Sequence, residues 1–193
     1  MNMNIAIVMG HPDSGSYCAA LAAAYGKGAI DRGASVRTID LSRMEFNPSL
    51  KHGYRQRTEL ESDLAAAQET IRWADHLVFV YPTWWGTMPA LLKGFLDRTL
   101  LPGFAFKYRD NSVLWDKLLA GKSARLIVTM DTPSWYNRFV YGKPGHRAMK
   151  IATLQFCGVK PVKITEIGPV RPSTEQARLK WLGKVEKLGT RFA

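Results

Sequence analysis

The stretch His76–Arg98, "HLVFVYPTWWGTMPALLKGFLDR", runs from a short apolar segment through a turn into a helical pattern. His76–Tyr81 is almost entirely apolar and rich in β-branched residues, the composition of a buried strand. Pro82 and Gly86 punctuate a turn, and Ala90–Leu101, which follows Pro89, has the make-up of a helix. A strand leading directly into a helix is half of a parallel β-α-β unit, so the neighbouring sequence should repeat it. The stretch also holds an oddity: Trp84 and Trp85 stand in the turn, where Gly, Asn or Asp is the usual choice.

The repeat is there on both sides. Met3–Met9, Val36–Leu41 and Ala124–Met130 are further short apolar runs, and Lys160–Ile167 is a weaker one because Pro161 opens it. Helical patterns lie between them: Ser16–Arg32, ending at Gly33; Glu59–Trp73, with Leu60, Leu64, Ala67 and Ile71 at helical spacing; Gly145–Cys157; and Glu175–Leu188. Five β-α pairs in succession imply a doubly wound α/β fold, a parallel sheet with helices on both faces, because each parallel connection needs a right-handed crossover. Ligands of such sheets sit beyond the carboxyl ends of the strands, so informative residues should follow the strands directly. Two segments exceed ordinary connections, Ser42–Thr58 and Asp131–Pro144, and suit irregular loops that cover a site.

The chain of 193 residues fits one domain over 1–193, with material for a core of its own. Its formal charge of +11 favours anionic partners: nucleic acid, acidic lipid or a phosphorylated cofactor. The Lys and Arg are spread without a dense basic run or a nucleic-acid-reading motif, which argues against nucleic acid. Cys18 and Cys157 are too few for a disulfide framework and match no metal-ligand spacing; both suit small buried side chains in a reducing cytosol, and no metal is expected. The N-terminal run is apolar for only a few residues, without a basic leader region or cleavage site, and no run approaches a membrane span, so a cytoplasmic protein with no membrane insertion is expected. His52 and His76 are isolated, and His76 opens a strand as a structural residue. Asp97 and Arg98 read as a surface or interface ion pair, and Ser134 lacks the G-x-S-x-G elbow of a hydrolase.

Gly10–Ala24, "GHPDSGSYCAALAAA", carries the first strand into the first helix. Main-chain N–H groups and hydroxyls of Ser14, Gly15, Ser16, Tyr17 and Cys18 could surround a phosphate there, with His11 as a further donor. The pattern is neither the Rossmann glycine fingerprint nor a Walker loop. The plain alternative is a well-capped helix with Asp13 or Ser14 as N-cap; the position after the first strand favours phosphate.

Taken together, "GHPDSGSYCAAL", Phe46–Pro48 "FNP", "ADHLVFVYPTWWGTMPALLKGFLDR", "PGFAFKY" and Phe156–Gly158 "FCG" resemble the flavodoxin-like NAD(P)H:quinone oxidoreductases, a family that includes ancillary flavoproteins of potassium efflux systems. The resemblance implies a flavodoxin-like five-stranded parallel sheet of strand order 2-1-3-4-5 and a bound flavin, FAD or FMN, with NAD(P)H as electron donor. It implies flavin-phosphate contacts from His11, Ser16, Tyr17 and Cys18, with Cys18 standing where asparagine is common. Pro82, Thr83, Trp84, Trp85 and Gly86 would line the isoalloxazine. Thr129, Met130, Asp131 and Thr132 stand where relatives carry T-T-G-G beneath the flavin's polar edge. Phe106 and Tyr108 would face the substrate across a homodimer interface. Tyr136, Tyr141 and His146 lie where relatives place proton-relay side chains, and Glu175 and Arg178 resemble a pair that touches the adenosine end of FAD.

The tryptophans make chemical sense in this light. A flavin needs an apolar platform beside an open face, which large rigid rings supply, while Gly86 lets the main chain approach its polar edge. The competing expectation is that both rings plug a core or a subunit contact. The activity expected is ping-pong hydride transfer through flavin N5, from NAD(P)H to a quinone or related aromatic acceptor. The alternative is a flavin-binding regulatory subunit of a transport system; an electron-carrier flavodoxin would be acidic, which this chain is not.

Overall fold

The structure is a computed structural model and describes residues 3–56 and 58–192. Its strands are β1 (Asn4–Met9), β2 (Ser35–Asp40), β3 (His76–Pro82), β4 (Phe106–Tyr108), β5 (Trp115–Lys117), β6 (Ser123–Thr129) and β7 (Val162–Ile167). The helices are α1 (Tyr17–Asp31), α2 (Ser62–Trp73), α3 (Ala90–Thr99), α4 (Ser134–Phe139), α5 (Pro144–Arg147) and α6 (Glu175–Gly189), and a π-helical segment, Ala148–Gln155, continues from α5. β2-β1-β3-β6-β7 form one parallel sheet, which is the expected order 2-1-3-4-5 of the long strands.

The unbroken apolar runs are explained by burial on both faces of this sheet. Ile5, Ile7 and Met9 of β1 pack with Val78, Val80 and Ile127 against α1 and α6. Ala6, Val8, Leu77, Phe79 and Tyr81 point the other way, into a core shared with Leu64 and Ile71 of α2 and Leu92 and Phe95 of α3. His76 is buried with Nδ1 2.7 Å from the Ser123 hydroxyl. Burial pushes its pKa down to about 4, so the ring stays neutral, as a structural residue should.

The local differences from the sequence reading have physical causes. β4 and β5 form a small antiparallel hairpin of three-residue strands, too short to give a periodic signal. The segment expected to be irregular, Asp131–Pro144, contains α4, a single short helix after Pro133. Gly145–Cys157 is helical at its start, but most of it is wound as the π-helical segment. The N-cap of α1 is Ser16, whose hydroxyl accepts from Ala19 N–H, and Asp13 instead receives Gly15 N–H at 2.8 Å in the turn before it.

Arg98 is the largest correction. It does not pair with Asp97, which is held by Lys93 at the surface. Arg98 is only 1% exposed and donates to both oxygens of the Glu61 carboxylate, to Asn47 O at 2.5 Å and to Glu59 O at 3.1 Å. These bonds fix Glu61, the extended N-cap, so α2 begins at Ser62 rather than at Glu59. They also explain the "FNP" block. Phe46 packs edge-on to Phe95, Asn47 N–H bonds Glu61, and Pro48 lies so close to Gly94 that a Cβ there would meet Pro48 Cβ at 2.4 Å.

Candidate active site

The exits of β1, β3 and β6 are brought level by two main-chain bonds, Gly10 N–H to Val80 O at 2.8 Å and Thr83 N–H to Thr129 O at 2.7 Å. A cleft of about 240 Å³ opens there, where a doubly wound sheet is expected to take its ligand. His11 and the first turn of α1 form one side, Pro82, Thr83 and Trp84 a second, and Thr129, Met130 and Asp131 the floor. Ten of the residues expected to hold cofactor thus come together from three separate strand exits.

The α1 side is suited to an anion. Tyr17 and Cys18 are the first two residues of the helix, so their N–H groups have no acceptor within it and carry the positive end of its dipole. His11 Nδ1 accepts Asp13 N–H at 3.0 Å, which places the proton of the neutral ring on Nε2 and leaves a donor available. The imidazole stands edge-on to Trp84, with centroids 5.4 Å apart. Tyr17 reaches across to α6, its hydroxyl donating to Arg178 O at 2.8 Å.

The Trp84–Trp85 turn is closed at both ends, by Trp84 N–H to Thr87 O at 2.8 Å and Thr87 N–H to Trp84 O at 3.0 Å. Its central residues, Trp85 and Gly86, both have positive φ, 50° and 77°. That is a two-residue hairpin turn in which Asn-Gly would be unstrained, whereas a bulky side chain at positive φ is a genuine outlier. Trp85 moreover points wholly into solvent at 103% exposure. It plugs no core, which removes that half of the core-or-subunit-contact alternative for Trp85, and its backbone strain is of the kind that marks functional positions.

Cys18 is buried with its Sγ 3.4 Å from Thr129 Oγ1, and burial pushes its thiol up to about 11. Cys157 is buried and pushed up to about 11 in the same way, and both are free. Neither is a thiolate nucleophile near neutral pH. Both are expected to resist a disulfide labelling reagent at pH 8 in the folded protein and to react fully on unfolding, which a timed absorbance assay would record.

Two cleft residues were missed by the sequence reading, Val170 and Arg171 at the exit of β7. The exit of β7 obeys the same strand-exit rule, but Pro161 at the start of that strand weakens its signal in the sequence. Gly168, at φ 154°, lets the chain pass directly under β6: a Cβ there would sit 2.1 Å from Met130 O. Val170 N–H then bonds Met130 O at 3.1 Å and Arg171 N–H bonds the Asp131 carboxylate at 2.7 Å. The Asp131 side chain is therefore turned to the β7 loop, and the Arg171 guanidinium makes no hydrogen bond among the described residues.

The remaining expected residues lie outside the cleft. Thr132, Glu175 and Arg178 do not line it; Arg178 donates to Ser173 Oγ and Val170 O and so braces the β7 exit loop from behind. Phe106 is buried against Phe156 and Tyr108, so of the expected substrate-facing pair only Tyr108 presents its ring outward. Gly86 and His146 line a separate narrow crevice behind Thr83. Tyr136 and Tyr141 pack edge to face at 5.0 Å on the segment that carries α4.

A family profile described as "Flavodoxin-like fold" matches residues 3–188. An NAD(P)H oxidoreductase of Haemophilus influenzae is 30% identical over 181 residues, covering 91% of this chain and 89% of the relative. The chain belongs to the flavodoxin-like family of NAD(P)H oxidoreductases. A solved Streptococcus mutans protein superposes with a TM-score of 0.83 at 33% identity, covering 98% of this chain and 100% of that one. The human ribosyldihydronicotinamide dehydrogenase [quinone] is 40% identical over 112 residues, which span 55% of this chain and 47% of that protein. Membership of this oxidoreductase family agrees with the sheet order and with a ligand cleft at the carboxyl ends of its strands.

Proposed function

We propose that this chain, acting as one domain over residues 1–193, is a flavin-dependent NAD(P)H oxidoreductase that delivers two electrons to a quinone or related aromatic acceptor. The observation that carries this reading is the joining, in one cleft, of an anion-receiving helix terminus to Trp84 of the tryptophan turn.

The residues fit a flavin, FAD or FMN, on the chemistry of their donors. The N–H groups of Tyr17 and Cys18, the Nε2 proton of His11 and the Arg171 guanidinium suit the phosphate. Pro82 and Trp84 offer an apolar wall for the ring, with Trp85 outside the cleft at its solvent side, and Thr83 and Thr129 bring hydroxyls to its polar edge. When bound, a flavin supplies the ability to accept and return a hydride, which no side chain here has. The chain's own part would be to orient the ring from the Trp84 side and to admit donor and acceptor to its open face in turn. A homodimer completes the reading: Tyr108, held outward by buried Phe106, would meet the acceptor of a second copy.

The test is to load the purified protein with FMN or FAD, release what it retains and identify it by mass. NADH and NADPH oxidation with and without a quinone would then be followed. Retention of one flavin and quinone-dependent oxidation of a nicotinamide are expected. A colourless protein that takes up neither flavin and leaves both nicotinamides unoxidised would end the proposal.

A further inference from the structure

Glu166, the next-to-last residue of β7, is neither in the cleft nor among the residues expected from sequence. Its side chain is mostly buried and faces one segment, residues 134–147. Oε1 accepts from Lys143 Nζ at 2.7 Å, and His146 Nδ1 stands 3.3 Å away without hydrogen-bond alignment. Burial alone would raise the Glu166 pKa, but Lys143, aided by Ser134, outweighs it and holds the carboxyl below its ordinary range, so it is ionised at neutral pH.

That segment carries the exposed rings of Trp135, Phe139 and Tyr141. Its other anchors are Asn137, buried with Nδ2 3.8 Å from Met130 Sδ, and the buried Gly145 and His146. Its regular structure is two brief helices joined through Lys143, a non-glycine residue at φ 54°. It also touches the tryptophan turn directly. Gly145 N–H bonds Gly86 O at 3.0 Å, and a Cβ on Gly145 would lie 2.8 Å from that oxygen, so nothing larger than glycine fits between them. Glu166 itself is fixed, because it is paired in register with Val128 of β6, the strand whose exit floors the cleft.

We propose that Glu166 is a positioning residue of the site: its carboxylate pins Lys143, and through Gly145 this sets the segment 134–147, with its exposed aromatic rings, against the Trp84–Trp85 turn. The segment is the side from which a flat acceptor enters. That consequence for the acceptor rests on the proposed flavin function, while the pinning does not. Glu166→Gln keeps the shape and removes the charge, leaving Lys143 without its carboxylate partner. Loss of one charge-assisted bond of this kind at a partly exposed site corresponds to about a tenfold change.

The test is hydrogen exchange by mass spectrometry on flavin-free protein, comparing wild type, Glu166→Gln, Glu166→Asp and Lys143→Met. Amides of 134–147 and 84–87 are expected to exchange about tenfold faster in Glu166→Gln and Lys143→Met, less so in Glu166→Asp, with β1 and α6 unchanged. Where quinone reduction is present, the KM for the acceptor should rise in Glu166→Gln with flavin content unchanged. Unaltered exchange in 134–147, or a rise spread evenly over the whole sheet, would overturn the proposal. A local rise in a protein that binds no flavin would leave the pinning intact and count against the flavin reading alone.

Discussion

Glu61→Leu is expected to lower the unfolding free energy by about 3 kcal/mol, because it leaves the guanidinium of Arg98 buried without its counter-charge. The two sides of this ion pair are unequal. Arg98 is almost completely enclosed, whereas about a third of the Glu61 side chain is open to water, 35% exposed, and can be rehydrated when its partner goes. Arg98→Met is therefore expected to cost less, about 2 kcal/mol, and to release the Asn47 and Glu59 carbonyls that it binds. The double variant Glu61→Leu/Arg98→Met should recover much of the loss, since apolar replacement of both partners removes the desolvation penalty with the attraction. Urea unfolding of the four proteins, with the slope checked for constancy, measures all of this. A Glu61→Leu protein within about 0.5 kcal/mol of wild type would show that the pair is idle.

Trp85→Asn is expected to act in opposite directions on stability and on cofactor. Asparagine is at home at positive φ, and relief of the strained turn should stabilise the fold by about 0.5–1 kcal/mol. Loss of the exposed ring should weaken flavin retention about thirtyfold, the effect of about 2 kcal/mol of aromatic stacking. Trp73→Phe is a suitable control, because Trp73 ends α2 under the Arg37 guanidinium, away from the cleft. Thermal melts of flavin-free protein give the first quantity and flavin titration by fluorescence the second. Equal retention by the two variants would remove Trp85 from the site.

Much of the fold was legible because of where the chain must hide apolar groups. A strand covered on both faces needs an unbroken apolar run, and "HLVFVY" announces this without reference to anything distant. The cleft was legible for the same reason, since its residues lie at or directly after the ends of those strands: His11 after β1, Pro82–Trp84 at the end of β3, Thr129–Asp131 at the end of β6. The weaker strand β7 hid its own exit, and Val170 and Arg171 went unnoticed with it. Phe106 belonged to the right block but faces inward, because three-residue strands give no alternation from which to read a face.

By itself, then, the sequence determined the alternation of strands and helices, the doubly wound class and the exits where a ligand should lie, all of which depend on neighbours within a few residues. Its likeness to a family supplied the strand order. Only the tertiary structure decided that Arg98 turns inward to Glu61, 37 positions away, and that Glu166 collects Lys143 across 23 positions. It alone showed Trp85 held outward at a strained backbone. The physical reason is common to all three. The fate of a charge or an exposed ring is set by what long-range folding places beside it, and no local pattern carries that information.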